Sequence, residues 1–216
     1  MSLPVLFDFD GTLMDTEPAI HESYREVFRR YRTEEEFDEE KQVAVLGPSL
    51  DVMMSMYFPG EDVEELKTVY RNYQNAHMPE LVRAMPHARE VLQMLKERGC
   101  PTAIVSTRKT SSINLILETV GMADAFDVII GYDMVTRDKP DPEGIQKALQ
   151  ELGYPADTYC VYVGDSPLDI QAGRNAGAWT VAMISNLKKE KMVLDEHPDR
   201  VIYDLSQLAD ALPKEF

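Results

Sequence analysis

The chain has 216 residues and sets 22 Lys plus Arg against 38 Asp plus Glu, a net charge of −16, which argues against a nucleic-acid surface and against adhesion to anionic lipid. No apolar run approaches the roughly 20 residues of a membrane span, and Asp8 and Asp10 interrupt the stretch that a signal peptide would keep apolar, so a soluble cytoplasmic protein with no membrane partner is expected. The two cysteines, Cys100 and Cys160, lie beside or within apolar runs, as packing residues of a reducing compartment do.

Val5-Leu6-Phe7 reads as a short buried strand that delivers Asp8 and Asp10 into a turn at Gly11. Ile20, Tyr24, Val27, Phe28 and Tyr31 then recur at helical spacing behind Pro18, a residue suited to a first helical turn. From there to about residue 81 the signals are helical or loop-like, broken at Gly47-Pro48 and Phe58-Pro59-Gly60, with no clear strand. After Met85-Pro86 the pattern changes. Three apolar stripes, Ala88/Val91/Leu92/Leu95, Ile113/Ile116/Leu117/Val120 and Ile145/Ala148/Leu149/Leu152, mark helices. They alternate with the runs Thr102–Val105, Val128–Ile130, Cys160–Val163 and Thr180–Met183, which have the composition of strands buried in a parallel sheet. This alternation predicts an α/β fold with a parallel sheet, residues 1–14 and 84–216 forming the core and residues 15–83 an inserted helical domain.

Ligands of open α/β sheets bind beyond the carboxyl ends of the strands. The first run ends at Asp8 and Asp10, the second at Ser106-Thr107 and a later one at Gly164-Asp165-Ser166, while Lys139 lies in an irregular stretch before Pro140. Carboxylates, hydroxyls and a lysine gathered at one sheet edge suit a phosphate and a metal ion.

Asp8-Phe9-Asp10-Gly11-Thr12, Val105-Ser106-Thr107, Lys139-Pro140-Asp141-Pro142 and Val163-Gly164-Asp165-Ser166-Pro167-Leu168-Asp169 together resemble the motifs of the haloacid dehalogenase-like superfamily, in order and across essentially the whole chain. The resemblance implies a Rossmann-like core with the first strand central, an all-helical cap, a Mg2+ cofactor and a small phosphorylated substrate, in a monomer or homodimer. The loop Gly47-Pro48-Ser49-Leu50 with Tyr70-Arg71-Asn72-Tyr73, His77 and Glu80-Leu81-Val82 is similar to the bacterial pyrophosphatases and phosphoglycolate phosphatases of that superfamily.

A carboxylate can attack phosphorus to give an aspartyl phosphate, and Asp8 fits that nucleophile. Asp10, two residues on in an extended segment, points the same way and can protonate the leaving oxygen, then accept a proton from water. An EF-hand is excluded, because Leu13 stands where that loop requires glycine and a strand precedes it. The resemblance assigns the metal to Asp8, the Asp10 carbonyl and Asp165, with Ser166 and Asp169 behind them and Asp169 either anchoring Lys139 or reaching the metal through water. Gly11, Thr12, Ser106, Thr107 and Lys139 are the expected phosphate-binding set, with Lys139 also stabilising charge during transfer. Arg108, where relatives often carry lysine, reads as a neutral difference. In the insertion, Gly47, Pro48, Ser49, Arg71 and His21 are the expected specificity residues.

Asp10 speaks against dehalogenation, which has no phosphate leaving group to protonate. A sugar phosphomutase remains an alternative, disfavoured because those relatives carry an arginine near the Gly47–Leu50 loop. A non-catalytic phospho-ligand binder is the alternative of another class, and the intact set Asp8, Asp10, Lys139 and Asp165 speaks against it.

Overall fold

The computed structural model describes residues 3–214. Six strands form one parallel sheet: β1 (Val5–Phe7), β4 (Thr102–Val105), β5 (Val128–Ile130), β6 (Val161–Gly164), β7 (Trp179–Met183) and β8 (Arg200–Ile202), in the order β5-β4-β1-β6-β7-β8. β1 lies between β4 and β6, with Leu6 opposite both Ala103 and Tyr162. The chain builds outward from β1 on one side through β4 and β5, then returns to build the other side through β6, β7 and β8. The carboxyl end of β1 is therefore the point where the winding reverses, the usual place for a ligand crevice.

Alternation along β1 divides the core. Val5 and Phe7 face one apolar layer, shared with α5 (Ala88–Glu97), α6 (Thr110–Thr119) and α10 (Leu208–Ala211). Leu6 faces the other, shared with α7 (Glu143–Glu151) and α8 (Pro167–Asn175). Helices on both faces leave all three β1 side chains fully buried, which is why this strand reads as an unbroken apolar run rather than an alternating one.

A two-stranded antiparallel ribbon, β2 (Met14–Asp15) with β3 (Arg83–Ala84), closes the base of the helical segment between them. That segment contains α1 (Glu17–Tyr31), α2 (Glu39–Ala44), α3 (Leu50–Tyr57) and α4 (Val63–Leu81). It has its own apolar cluster, built on Tyr24, Phe28, Phe37, Met54, Phe58 and Tyr70, with the Tyr24 and Tyr70 rings edge to face at 5.0 Å. Ala19 and Met78, near the ribbon, pack instead into the sheet's core.

The ribbon and β8 are additions to the expected strands. Two-residue strands carry no period to detect, and β8 offers only Val201 and Ile202 as apolar residues, behind an exposed Arg200. A short helix, α9 (Glu190–Leu194), follows the loop after β7 and positions Lys189. Among the described residues no helix is long and apolar enough to cross a membrane.

Candidate active site

β1 leads directly into Asp8, which is 5% exposed. Its backbone N–H donates to the Val163 carbonyl at 2.8 Å, so the carboxylate starts from the sheet's own ladder. β6 ends one strand away at Gly164 and hands over to Asp165 and Ser166, where a capping box opens α8: the Ser166 hydroxyl and N–H bond one oxygen of Asp169 at 2.6 and 3.0 Å. Asp169, expected behind the metal ligands, is thereby fixed as part of a helix start.

Lys139 ties the strands together. Its Nζ donates to Asp8 at 2.6 Å, to Asp169 at 2.6 Å and to the Tyr162 hydroxyl at 3.0 Å, and the Tyr162 hydroxyl in turn donates to the Val105 carbonyl at 3.0 Å. Burial works against the ammonium, yet the charges of Asp169 and Asp8 hold Lys139 well above the ordinary lysine range. Burial pushes the Asp8 carboxyl well up; Lys139 pulls it back, while Asp169, Asp165 and Asp10 add to the rise. Asp169 also feels burial, but Lys139 and Ser166 bring it below the usual carboxylate value. Two carboxylates on one lysine are thus pushed in opposite directions.

Side-chain oxygens of Asp8, Asp165 and Asp169 lie within 4.8 Å of one another, all buried. Hard carboxylate donors at this density suit a divalent cation. Asp169 already gives both its oxygens to Lys139 and Ser166, so Asp8 and Asp165 are the better placed ligands. The backbone makes room for them at Gly11, where φ is +81° and a Cβ would stand 2.3 Å from an Asp165 oxygen. On the other side Lys189, itself buried, is ion-paired with the Asp165 carboxylate. Burial raises Asp165, and Lys189 opposes the rise.

Asp10 lies apart from this carboxylate cluster. Arg108 grips its carboxylate through Nε (2.9 Å) and Nη2 (2.7 Å), and the Thr16 hydroxyl donates to it at 2.5 Å. Ser106 is buried in the turn before α6, its hydroxyl oxygen accepting from the Arg108 N–H at 3.1 Å, and Thr107 beside it donates its hydroxyl to the Gly47 carbonyl at 3.0 Å. Thr12 is fully buried, and its hydroxyl has no hydrogen-bond partner.

These groups border a cavity of about 590 Å³ lined by Asp8, Asp10, Gly47, Pro48, Arg71, Gln74, Thr107, Arg108 and Lys139, among others. The helical segment forms its far wall. Arg71 donates to the Tyr132 hydroxyl at 3.2 Å, and Ser49 is buried and bonds Asp138. His21 is not brought to this cavity: its ring meets the Gln42 carbonyl at 2.9 Å and the edge of Phe37, beside a separate cleft near Asn186 and Lys188. Four residues that matter to this geometry escape a sequence reading. Tyr162 is a strand residue whose buried phenol needed a polar partner, the one available hint. Arg108 follows a motif turn but gives no sign of its partner, and Gln74 and Lys189 look like ordinary polar positions of a helix and a loop.

A haloacid dehalogenase-like hydrolase family profile matches residues 5–183. A pyrophosphatase PpaX of Oceanobacillus iheyensis is 34% identical over 205 residues, covering 94% of each chain. Another pyrophosphatase PpaX, of Bacillus mycoides, is 35% identical over 210 residues, 97% of this chain and 94% of the relative. Among solved structures, one from Bacteroides fragilis described as a haloacid dehalogenase-like hydrolase superposes with a TM-score of 0.86 at 28% identity, covering 96% of this chain and 100% of that one. CbbY from Rhodobacter sphaeroides, solved with phosphate, shares the fold at a TM-score of 0.83 and 22% identity, with 96% of each chain covered.

Proposed function

The chain belongs to the haloacid dehalogenase-like hydrolases, and from that premise we propose that it is a Mg2+-dependent phosphohydrolase of a small phosphorylated metabolite, either pyrophosphate or a phosphoglycolate-type monoester. The observation that carries this reading is the Lys139 ammonium, held between Asp8 and Asp169 at the reversal point of the sheet with Asp165 alongside. The relatives named pyrophosphatase narrow the substrate class.

Asp8 attacks phosphorus, and the bond from phosphorus to the leaving oxygen breaks as Asp10, in its acid form, gives that oxygen a proton. Water then attacks the aspartyl phosphate and returns its proton to Asp10; phosphate leaves and the Asp8 carboxylate is restored. Lys139 holds Asp8 in place and balances charge gathering on the phosphoryl oxygens. Asp8, Asp165 and the Asp10 carbonyl would hold Mg2+, which offsets repulsion between an anionic nucleophile and an anionic substrate. Ser106, Thr107, Gly11 and Thr12 shape the phosphoryl site, and the 15–83 segment acts as a cap that keeps water out and selects the leaving group through Gly47, Pro48, Ser49 and Arg71. The acidic surface and buried free cysteines support a cytoplasmic enzyme with neither nucleic acid nor membrane as partner.

The test is phosphate release from pyrophosphate, phosphoglycolate and an aryl phosphate, with Mg2+ and after chelation. Mg2+-dependent turnover of at least one is expected, with Ca2+ inhibiting because a water-sharing octahedral site suits the smaller ion. Tight phosphate binding with no turnover would make the protein a binder instead.

A further inference from the structure

Arg108 is held more elaborately than a surface ion pair requires. Its side chain is only 9% exposed. Nη1 donates to Gln74 Oε1 on α4 at 2.7 Å and to Ser112 Oγ on α6 at 3.1 Å. Gln74 is itself buried, and its amide nitrogen donates to the Tyr70 hydroxyl at 3.2 Å, which fixes its oxygen toward the guanidinium. One edge of the fork is therefore pinned by two neutral acceptors, one from the helical segment and one from the core. The other edge, Nε and Nη2, is presented to a pair of oxygens, those of Asp10. Asp10, Arg108, Gln74 and Ser112 all line the cavity.

A guanidinium oriented in advance matches the two-oxygen edge of a carboxylate or a phosphoryl group. The Asp10 carboxylate shows which ligand the fork accepts. We infer that Arg108 is the specificity residue for the part of the substrate beyond the transferred phosphoryl group, taking an anionic leaving group in exchange for Asp10. This rests on the phosphohydrolase reading above. The exchange swaps one anion for another, so the guanidinium is never left buried and unpaired. It also releases the Asp10 carboxylate from its bidentate partner, so that Asp10 is free to take up a proton from water and carry it to the leaving oxygen only when the correct leaving group has arrived. Pyrophosphate supplies such an anion as its second phosphoryl group, and a phosphoglycolate-type ester supplies it as a carboxylate; phenyl phosphate supplies neither.

The experiment compares kcat/KM for pyrophosphate, phosphoglycolate and phenyl phosphate in wild type, Arg108→Met, Arg108→Lys and Gln74→Leu, with circular dichroism to verify folding. Loss of a charge-assisted bidentate contact is expected to cut the preference for the better anionic substrate over phenyl phosphate by about 100-fold in Arg108→Met, less in Arg108→Lys. Gln74→Leu keeps the charge but removes one of the two acceptors on the pinned edge, and should lower the same preference by about tenfold, so the inference stays testable if Arg108→Met does not fold. Whichever anionic substrate loses the preference identifies the leaving group. Preferences within about threefold of wild type in the folded variants would leave Arg108 as a clamp for Asp10 and overturn the inference while sparing the phosphohydrolase reading. Wild type inactive on all three would overturn both.

Discussion

Gly11→Ala is the smallest change that addresses the proposed metal site. At φ +81° an alanine is strained by about 1–3 kcal/mol. The larger effect is steric. The new Cβ would lie 2.3 Å from one Asp165 oxygen and 2.7 Å from its carboxyl carbon, whereas ordinary contact begins near 3.4 Å. Asp165 must therefore retreat by about 1 Å, and displacements of that size cost roughly 100-fold in rate when they disturb catalytic geometry. Global stability should fall only within the strain figure, since Asp165 keeps Lys189 as a partner. Urea unfolding and the Mg2+ dependence of phosphate release, measured on the same sample, separate the two effects: a modest loss of midpoint, a loss of turnover of about 100-fold and a rise in the Mg2+ needed for half activity of about 10-fold or more. A folded variant with wild-type Mg2+ dependence would refute the placement of the metal at Asp165.

Lys189→Met removes the buried ammonium from Asp165, and breaking a buried pair from one side costs about 3–5 kcal/mol, so the metal-free variant should melt well below wild type. Mg2+ should then stabilise the variant more than wild type in a thermal-shift titration; equal shifts would show that Lys189 does not share Asp165 with the cation. Lys139→Met strips the cation from both Asp8 and Asp169 and should cut turnover by at least about 100-fold with a lowered urea midpoint; activity near wild type would remove Lys139 from the chemistry. Burial pushes the Cys160 thiol up to about 12, so at pH 8 only about one molecule in ten thousand carries the thiolate. In a Cys100→Ser background, labelling of Cys160 by a disulfide reagent should stay negligible until pH approaches 12 or the chain unfolds, and rapid labelling at pH 8 would contradict the packing around β6.

Much of this was legible because it depends on local order in the chain. The run Val5–Phe7 is apolar because both faces of β1 are covered, and a strand followed at once by Asp8 must present that residue at the sheet's carboxyl edge. Lys139 could be tied to the site by its motif, but its distance to Asp169, 30 residues on, depends on how α8 is capped. Partner choice was not legible. Nothing local distinguishes Lys189 from Lys188, yet one is buried on Asp165 and the other is exposed. Arg108 gains its meaning from Gln74 and Asp10, which approach from a different helix and a different strand. His21 was close to the motif turn along the chain, but the first turns of α1 direct it toward Gln42 and Phe37 rather than the cavity.

In the proposed mechanism Asp8 carries the phosphoryl group during turnover. This is tested most directly by acid-quenching the enzyme while it turns over a labelled substrate and locating the label by peptide mapping, with Asp8→Asn alongside. Label is expected on the peptide containing Asp8, removed by hydroxylamine as an acyl phosphate is, with neither label nor turnover in the folded Asp8→Asn variant. Sustained turnover in Asp8→Asn, or label on another residue, would contradict it.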